Sequence, residues 1–186
     1  MKIRAGLLTP FLALHACWAG SSEFHLTINR QVSNESSLYP ARDYQVQSLV
    51  YVFEPHQKFE GPIFQWCFSI AKGASNRSSS VSPAGSSYYK PGGYGSIGLR
   101  MLSKGTFRFG AGLEMRAGAD NKGGVSGDTG NSGLYLYTRP WISVIMQYHY
   151  LNTQPAPVFS ISVGTTNSEI PGSPRRELGV SAGIRF

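Results

Sequence analysis

No stretch of the chain after its first twenty residues holds the roughly eighteen consecutive apolar residues that a membrane-crossing helix needs. A membrane protein with this sequence would therefore have to be a closed barrel of strands. Charge is also scarce, at 15% of 186 residues against about a quarter in ordinary soluble domains. Cysteine is scarcer still: Cys17 and Cys67 are the only two. If Cys17 is removed with a leader, a disulfide framework is excluded and Cys67 reads as a small buried residue. The net charge of +7 is scattered, with Arg175-Arg176 the only later cluster. Without a basic stripe or a recognisable module, nucleic acid is not expected as a partner. His25, His56 and His149 lie far apart with no grouped Cys or carboxylate, so neither a metal site nor a cofactor site is expected.

What fills the space is glycine (22), serine and aromatics, with 10 Tyr and 10 Phe. The first residues, MKIRAGLLTPFLALHACWAG, begin with Lys2 and Arg4, continue as a short apolar stretch to Ala16 and reach a small-x-small site at Cys17-Trp18-Ala19. That is the layout of a secretory signal peptide, and cleavage is expected after residue 19. Leu14-His15-Ala16-Cys17 loosely resembles a lipobox, which leaves lipidation of Cys17 open. Residues 20–186 are then a single domain.

Over that domain apolar residues recur at every second position, the period of a strand with two unlike faces. Phe24, Leu26, Ile28 and Val32 alternate with His25, Thr27, Asn29 and Gln31. Tyr44, Val46, Val50 and Val52 alternate with Gln45 and Gln47, although Leu49, Tyr51 and Phe53 blur the pattern. Phe64 to Ile70 and Ile97 to Met101 give the third and fourth strands. In the fifth, Phe107, Phe109, Ala111, Leu113, Met115 and Ala117 oppose Arg108, Gly110, Gly112, Glu114 and Arg116. Pro140 could split 134–150 into a hairpin, since proline donates nothing to a ladder. The phase nevertheless runs unbroken across it, with Tyr135, Arg139, Ser143, Gln147 and His149 on one face, which favours a single strand. Phe159 to Thr165 and Leu178 to Phe186 complete eight. Connections 33–43, 72–93, 119–133 and 166–175 are long on the whole, and 54–62, 103–105 and 151–157 are shorter. Long loops at one end and short turns at the other is the plan of an outer-membrane barrel. With both ends of the domain at the short-turn end, the strand count must be even.

Alternation alone does not separate such a barrel from a soluble β-sandwich, whose apolar faces point inward. Glycine, serine and charge on the polar faces suit a narrow lumen. Tyr148, Tyr150, Phe107 and Trp66 at the ends of the apolar faces suit an interfacial girdle. The last strand adds a resemblance. LGVSAGIRF, with Leu178, Val180, Ala182, Ile184 and Phe186 at alternate positions, resembles the C-terminal assembly signal of bacterial outer-membrane proteins. The resemblance implies an all-β, eight-stranded, antiparallel up-and-down transmembrane barrel similar to the OmpA, OmpX and OmpW groups. It further implies export to the outer membrane of a Gram-negative cell and recognition of those five residues by the barrel-assembly machinery.

A barrel of eight strands is only wide enough for its own side chains, so a diffusion porin of about sixteen strands is excluded. The expected lumen set is Arg100, Arg108, Glu114, Arg116, Glu177 and Arg185, with His149, Gln147, Gln65 and Gln47. Two glutamates among four arginines leave an expected net positive lumen. The expected role is structural or surface-interacting, without catalysis. Outer-membrane lipid and lipopolysaccharide are the surroundings, and loop 72–93, with Lys72, Arg77, Tyr88, Tyr89 and Lys90, is the place for an extracellular ligand. A small channel, a lipid A acyl hydrolase and a soluble secreted β-sandwich are the alternatives. The hydrolase would need a serine beside a histidine, but Tyr150-Leu151-Asn152 follows His149, and Ser143 lies six residues from it. Ser160 or Ser162 on the next strand could approach His149, on the lumen side. Gly93-Tyr94-Gly95-Ser96-Ile97-Gly98 fits GxGxxG but runs into a strand rather than a helix, so it is not expected to hold a dinucleotide.

Overall fold

In the computed structural model, residues 20–33, 43–57, 60–73, 75–76, 88–123, 134–150, 153–167 and 174–186 are described. Residues 1–19, where the leader and Cys17 are expected, together with residues 34–42, 77–87, 124–133 and 168–173 of the long connections, lie outside them. The strands are β1 (Gly20–Ser33), β2 (Asp43–Pro55), β3 (Ile63–Ala71), β4 (Ser75–Asn76), β5 (Tyr88–Leu102), β6 (Phe107–Gly123), β7 (Leu134–His149), β8 (Ala156–Thr165) and β9 (Pro174–Arg185). The two-residue β4 resumes beside β2 the place that β3 vacates, so the two together make one stave of the wall. Each stave pairs antiparallel with its neighbour in sequence, and β1 pairs with both β2 and β9. The ring of pairings therefore closes on itself: the fold is a closed eight-stranded up-and-down barrel.

Closure rests on the last strand. Glu23↔Arg185 through Val32↔Arg176 run without a slip, and the register shifts only at Val32/Ser33. Phe186 extends the seam by exchanging backbone hydrogen bonds with Ser22. β7 is continuous across Pro140, which sits opposite Met115, so the single-strand reading holds.

The side chains are sorted inside out. Among the described residues, twenty-six large apolar or aromatic side chains are exposed, including Val144 at 69% and Ile70 at 75%. Buried polar or charged residues outnumber buried apolar ones by eighteen to thirteen. A soluble domain rarely exposes apolar patches beyond a few hundred Å², whereas this belt encircles the wall. Outward rings cluster at the short-turn end: Phe24 lies 5.1 Å from Tyr51 and 6.4 Å from Phe186, and Phe107 lies 4.8 Å from Tyr148.

Several expectations are corrected. Gln47 is exposed on the outside, because β2 turns Tyr44, Val46, Ser48, Val50 and Val52 inward and presents Leu49, Tyr51 and Phe53 outward. Both faces of β2 are largely apolar, so its phase was ambiguous. Inside, Tyr44 and Val46 pack with Ala71 and Tyr94, while Val50 and Val52 pack with Cys67. Strand β5 begins at Tyr88, so residues 88–93 are wall rather than loop, and β6 continues to Gly123. Trp141 and Ile145 point inward on β7, whereas Tyr135, at the lumen parity, is 41% exposed.

Candidate functional site

The inward face is the place to look for chemistry, because the alternation that turns apolar residues outward delivers charge to the lumen from six of the eight staves. At the short-turn end, the Glu54 carboxylate accepts from Arg108 Nη1 at 2.6 Å, Arg185 Nη2 at 2.8 Å and Gln65 Nε2 at 2.9 Å. Glu23 is fully buried; one oxygen lies 2.8 Å from His25 Nε2, and the other accepts from Arg185 Nη1 at 3.4 Å. His149 Nδ1 lies 3.9 Å from that second oxygen.

Arg116 fills the middle of the lumen. Its guanidinium makes two parallel bonds to Glu177, at 2.7 and 2.9 Å, and reaches Glu114 at 3.3 Å. The ring of Trp141 lies 4.3 Å from its carbon and that of Tyr94 4.8 Å, so it is held by carboxylates and ring faces together. Arg100 lies 3.6 Å from Glu114, and Gln31 donates to Glu177 at 2.7 Å. Toward the long-loop end Arg139 donates to Asp120 at 2.8 Å and stacks over Tyr137 at 3.8 Å.

All six charged residues expected in the lumen are brought together there, with His149, Gln147 and Gln65. The expectation of a net positive lumen is corrected, because the expected set leaves out four inward charges, of which the alternation had placed only Arg139 on the polar face. Glu23, Glu54 and Asp120 join Glu114 and Glu177, and Arg139 joins Arg100, Arg108, Arg116 and Arg185. Five carboxylates face five guanidiniums, so the described lumen is electrically balanced. The signal for Glu54 was present: it continues the inward series Val50, Val52. Glu23 likewise shares the parity of His25.

Small inward residues make room for this packing. A Cβ on Gly98 would lie 2.7 Å from the Glu114 Cγ and from the Leu113 carbonyl, and 2.8 Å from Cys67 Sγ. Crowding in the wall thus accounts for the last glycine of the GxGxxG match.

One arrangement has the order of a nucleophile relay: Glu23 to His25 at 2.8 Å, and His25 Nδ1 to Ser181 Oγ at 3.3 Å. Ser160 bonds to Ser181 at 2.5 Å rather than approaching His149. The space beside it is a cavity of about 40 Å³ lined by Ser160, Ser181, Arg116, Glu114 and Trp141. A water needs about 10–15 Å³ measured this way, whereas small-molecule pockets run to about 300 Å³ and more. The void has room for a few waters and none for an acyl chain.

No protein-family model and no curated protein sequence matches the chain. Solved structures do. Neisserial surface protein A (NspA) is 14% identical with a TM-score of 0.51, over 90% of this chain and 96% of that one. Ail, the attachment invasion locus protein of Yersinia pestis, is 13% identical with a TM-score of 0.50, over 90% of this chain and 99% of that one. At such identities the likeness is one of fold, and it agrees with the closed wall, the apolar belt and the filled lumen. The chain has the eight-stranded up-and-down barrel fold of small outer-membrane proteins.

Proposed function

We propose that the protein is a non-enzymatic integral outer-membrane barrel whose wall and lumen are structural and whose interactions are made by its long connections on the cell surface. The observation that carries this reading is the inverted sorting of side chains, an unbroken apolar belt around a charge-balanced polar interior. Hydrocarbon demands such a belt, and a wall closed on itself pairs its backbone strand to strand around the whole ring without water. Placement in the outer membrane, export through residues 1–19 and recognition of the final strand by the barrel-assembly machinery belong to the same proposal. Support for a surface role comes from the fold shared with a protein named for the neisserial surface and one named for attachment and invasion. The interaction segment proposed is 72–93, whose residues 88–93 form the upper part of β5.

Two experiments test this. Cell fractionation with electrophoresis before and after boiling should find the protein in outer membranes, with a heat-dependent change in migration. A soluble periplasmic protein of unchanged migration would contradict the membrane assignment. Deleting 77–87, which spares β4 and β5, should lower adhesion to host surfaces or survival in serum while the heat shift persists. Unchanged adhesion and survival would contradict the interaction role of that segment.

A further inference from the structure

The wall is not of uniform height. Strand β8 ends at Thr165, opposite Ile142, whereas β7 continues up to Leu134 along β6. Above Ile142, β7 therefore has no strand beside it on its β8 side among the described residues. The gap is tied across its base: Thr166 Oγ1 donates to the Pro140 carbonyl at 2.6 Å, and Thr166 N–H donates to the Arg175 carbonyl at 3.0 Å. What remains is a groove of about 440 Å³ at the long-loop end, bordered by Pro140, Ile142, Thr165, Asn167, Arg175 and Arg176.

The groove joins two chemistries. Below it the outward face is purely apolar, with Ile142, Val163 and Leu178 exposed at 60%, 59% and 44%. At its rim are two guanidiniums, and among the described residues neither Arg175 nor Arg176 has an ion-pair partner. Arg176 pairs in register with Val32, two residues along β1 from the outward-facing Arg30, whose own guanidinium bonds to Asp43 at 2.7 Å. Among the described residues, Arg30, Arg175 and Arg176 against Asp43 leave this sector two charges positive. The opposite rim carries the aromatic cluster instead.

We infer that this groove is a docking site for an anionic, phosphate-bearing acylated lipid of the outer leaflet. The phosphate would meet Arg175 and Arg176, and the acyl chains would lie along Ile142, Val163 and Leu178. Charge complementarity selects the head group, because arginine pairs with phosphate through two donors in a fixed fork. Continuity of the groove with the apolar belt selects a lipid over a free ion. The site lies on the outside of the wall, separate from the lumen, and the inference rests on the proposed membrane location.

The test uses the purified full-length protein in detergent micelles and native mass spectrometry. The probes are a multiply acylated disaccharide lipid with two phosphates, the same lipid without phosphates, and inorganic phosphate. The wild type should retain the phosphorylated lipid, retain the phosphate-free lipid about tenfold less, and lose neither to millimolar inorganic phosphate, each basic residue near a lipid surface contributing on the order of a fivefold factor. Arg175→Glu/Arg176→Glu should lower retention about tenfold or more, Arg175→Gln/Arg176→Gln should lower it less, and Lys104→Glu at the opposite rim should leave it unchanged. Heat-shifted migration of each variant shows that the barrel is intact, and the glutamine pair replaces the glutamate pair should the latter not fold. Equal retention by wild type and the arginine variants, or equal retention of both lipids, would overturn the site. Protein that shows no heat shift and binds no lipid would instead overturn the membrane reading on which the site rests.

Discussion

Replacing Arg116 by alanine leaves the Glu177 carboxylate buried with only Gln31 to neutralise its demand for donors. Breaking a buried pair on one side costs about 3–5 kcal/mol, whereas replacing both partners by apolar groups is often nearly neutral. Arg116→Ala should therefore lower stability by about that amount, and Arg116→Met with Glu177→Met should recover most of the loss. Urea unfolding in lipid vesicles measures both. Equal losses in the two variants would show that packing against Trp141 and Tyr94, rather than charge pairing, sets the cost. Gly98→Val meets the Leu113 carbonyl as well as the movable Glu114 side chain, and should cost about 1–3 kcal/mol in the same assay. Five of the six expected lumen charges were legible because each stands between apolar neighbours on a regular strand, and Glu177, which follows Arg176, by its parity with Gly179, Ser181 and Gly183. Glu23 and Glu54 have the inward parity too, but each lies at the edge of its run, next to the expected cleavage site or a proline. Their partners are set by where other strands, some across the lumen, place Arg185 and Arg108, and no single strand contains that information.

Strands with one oily and one polar face announced themselves, and those with two similar faces did not. β6 and β9 follow the expected alternation throughout, so their inward and outward residues could be read directly. β2 could not, because its inner face packs Tyr44 and Val46 against Ala71 and Tyr94 where the lumen is locally apolar. The upper ends of β5 and β6 escaped notice for another reason: around residues 88–93 and 119–123 the composition is that of a turn. Their pairing, from Tyr88↔Gly123 to Pro91↔Asp120, comes from the partner strand. Two predictions belong at this scale. Val144→Arg, on the lipid face of β7, should cost about 2–4 kcal/mol near the bilayer midplane, measured by vesicle refolding equilibria. A cost near zero would place β7 against water. Phe186→Ala should reduce assembled barrel in cells severalfold while changing unassisted folding into vesicles much less. Equal effects in both settings would make Phe186 a packing residue of the Phe24–Tyr51 cluster rather than part of an address.

At the scale of the molecule, the lumen is balanced five to five among the described residues and leaves space for a few waters. Reconstituted protein should accordingly show no steady conductance in planar bilayers, and sustained channel events would contradict a structural lumen. The deeper claim is that the barrel is inside out, with lipid rather than protein against the apolar faces. Two tryptophans report on it, because Trp66 faces outward at 44% exposure and Trp141 faces the lumen at 4%. Fluorescence of Trp141→Phe and Trp66→Phe variants of residues 20–186, in vesicles whose acyl chains carry bromine, measures the contact directly. The account predicts strong quenching of Trp66 and little of Trp141. Quenching of neither by brominated lipid, with Trp66 quenched instead by aqueous iodide, would contradict it.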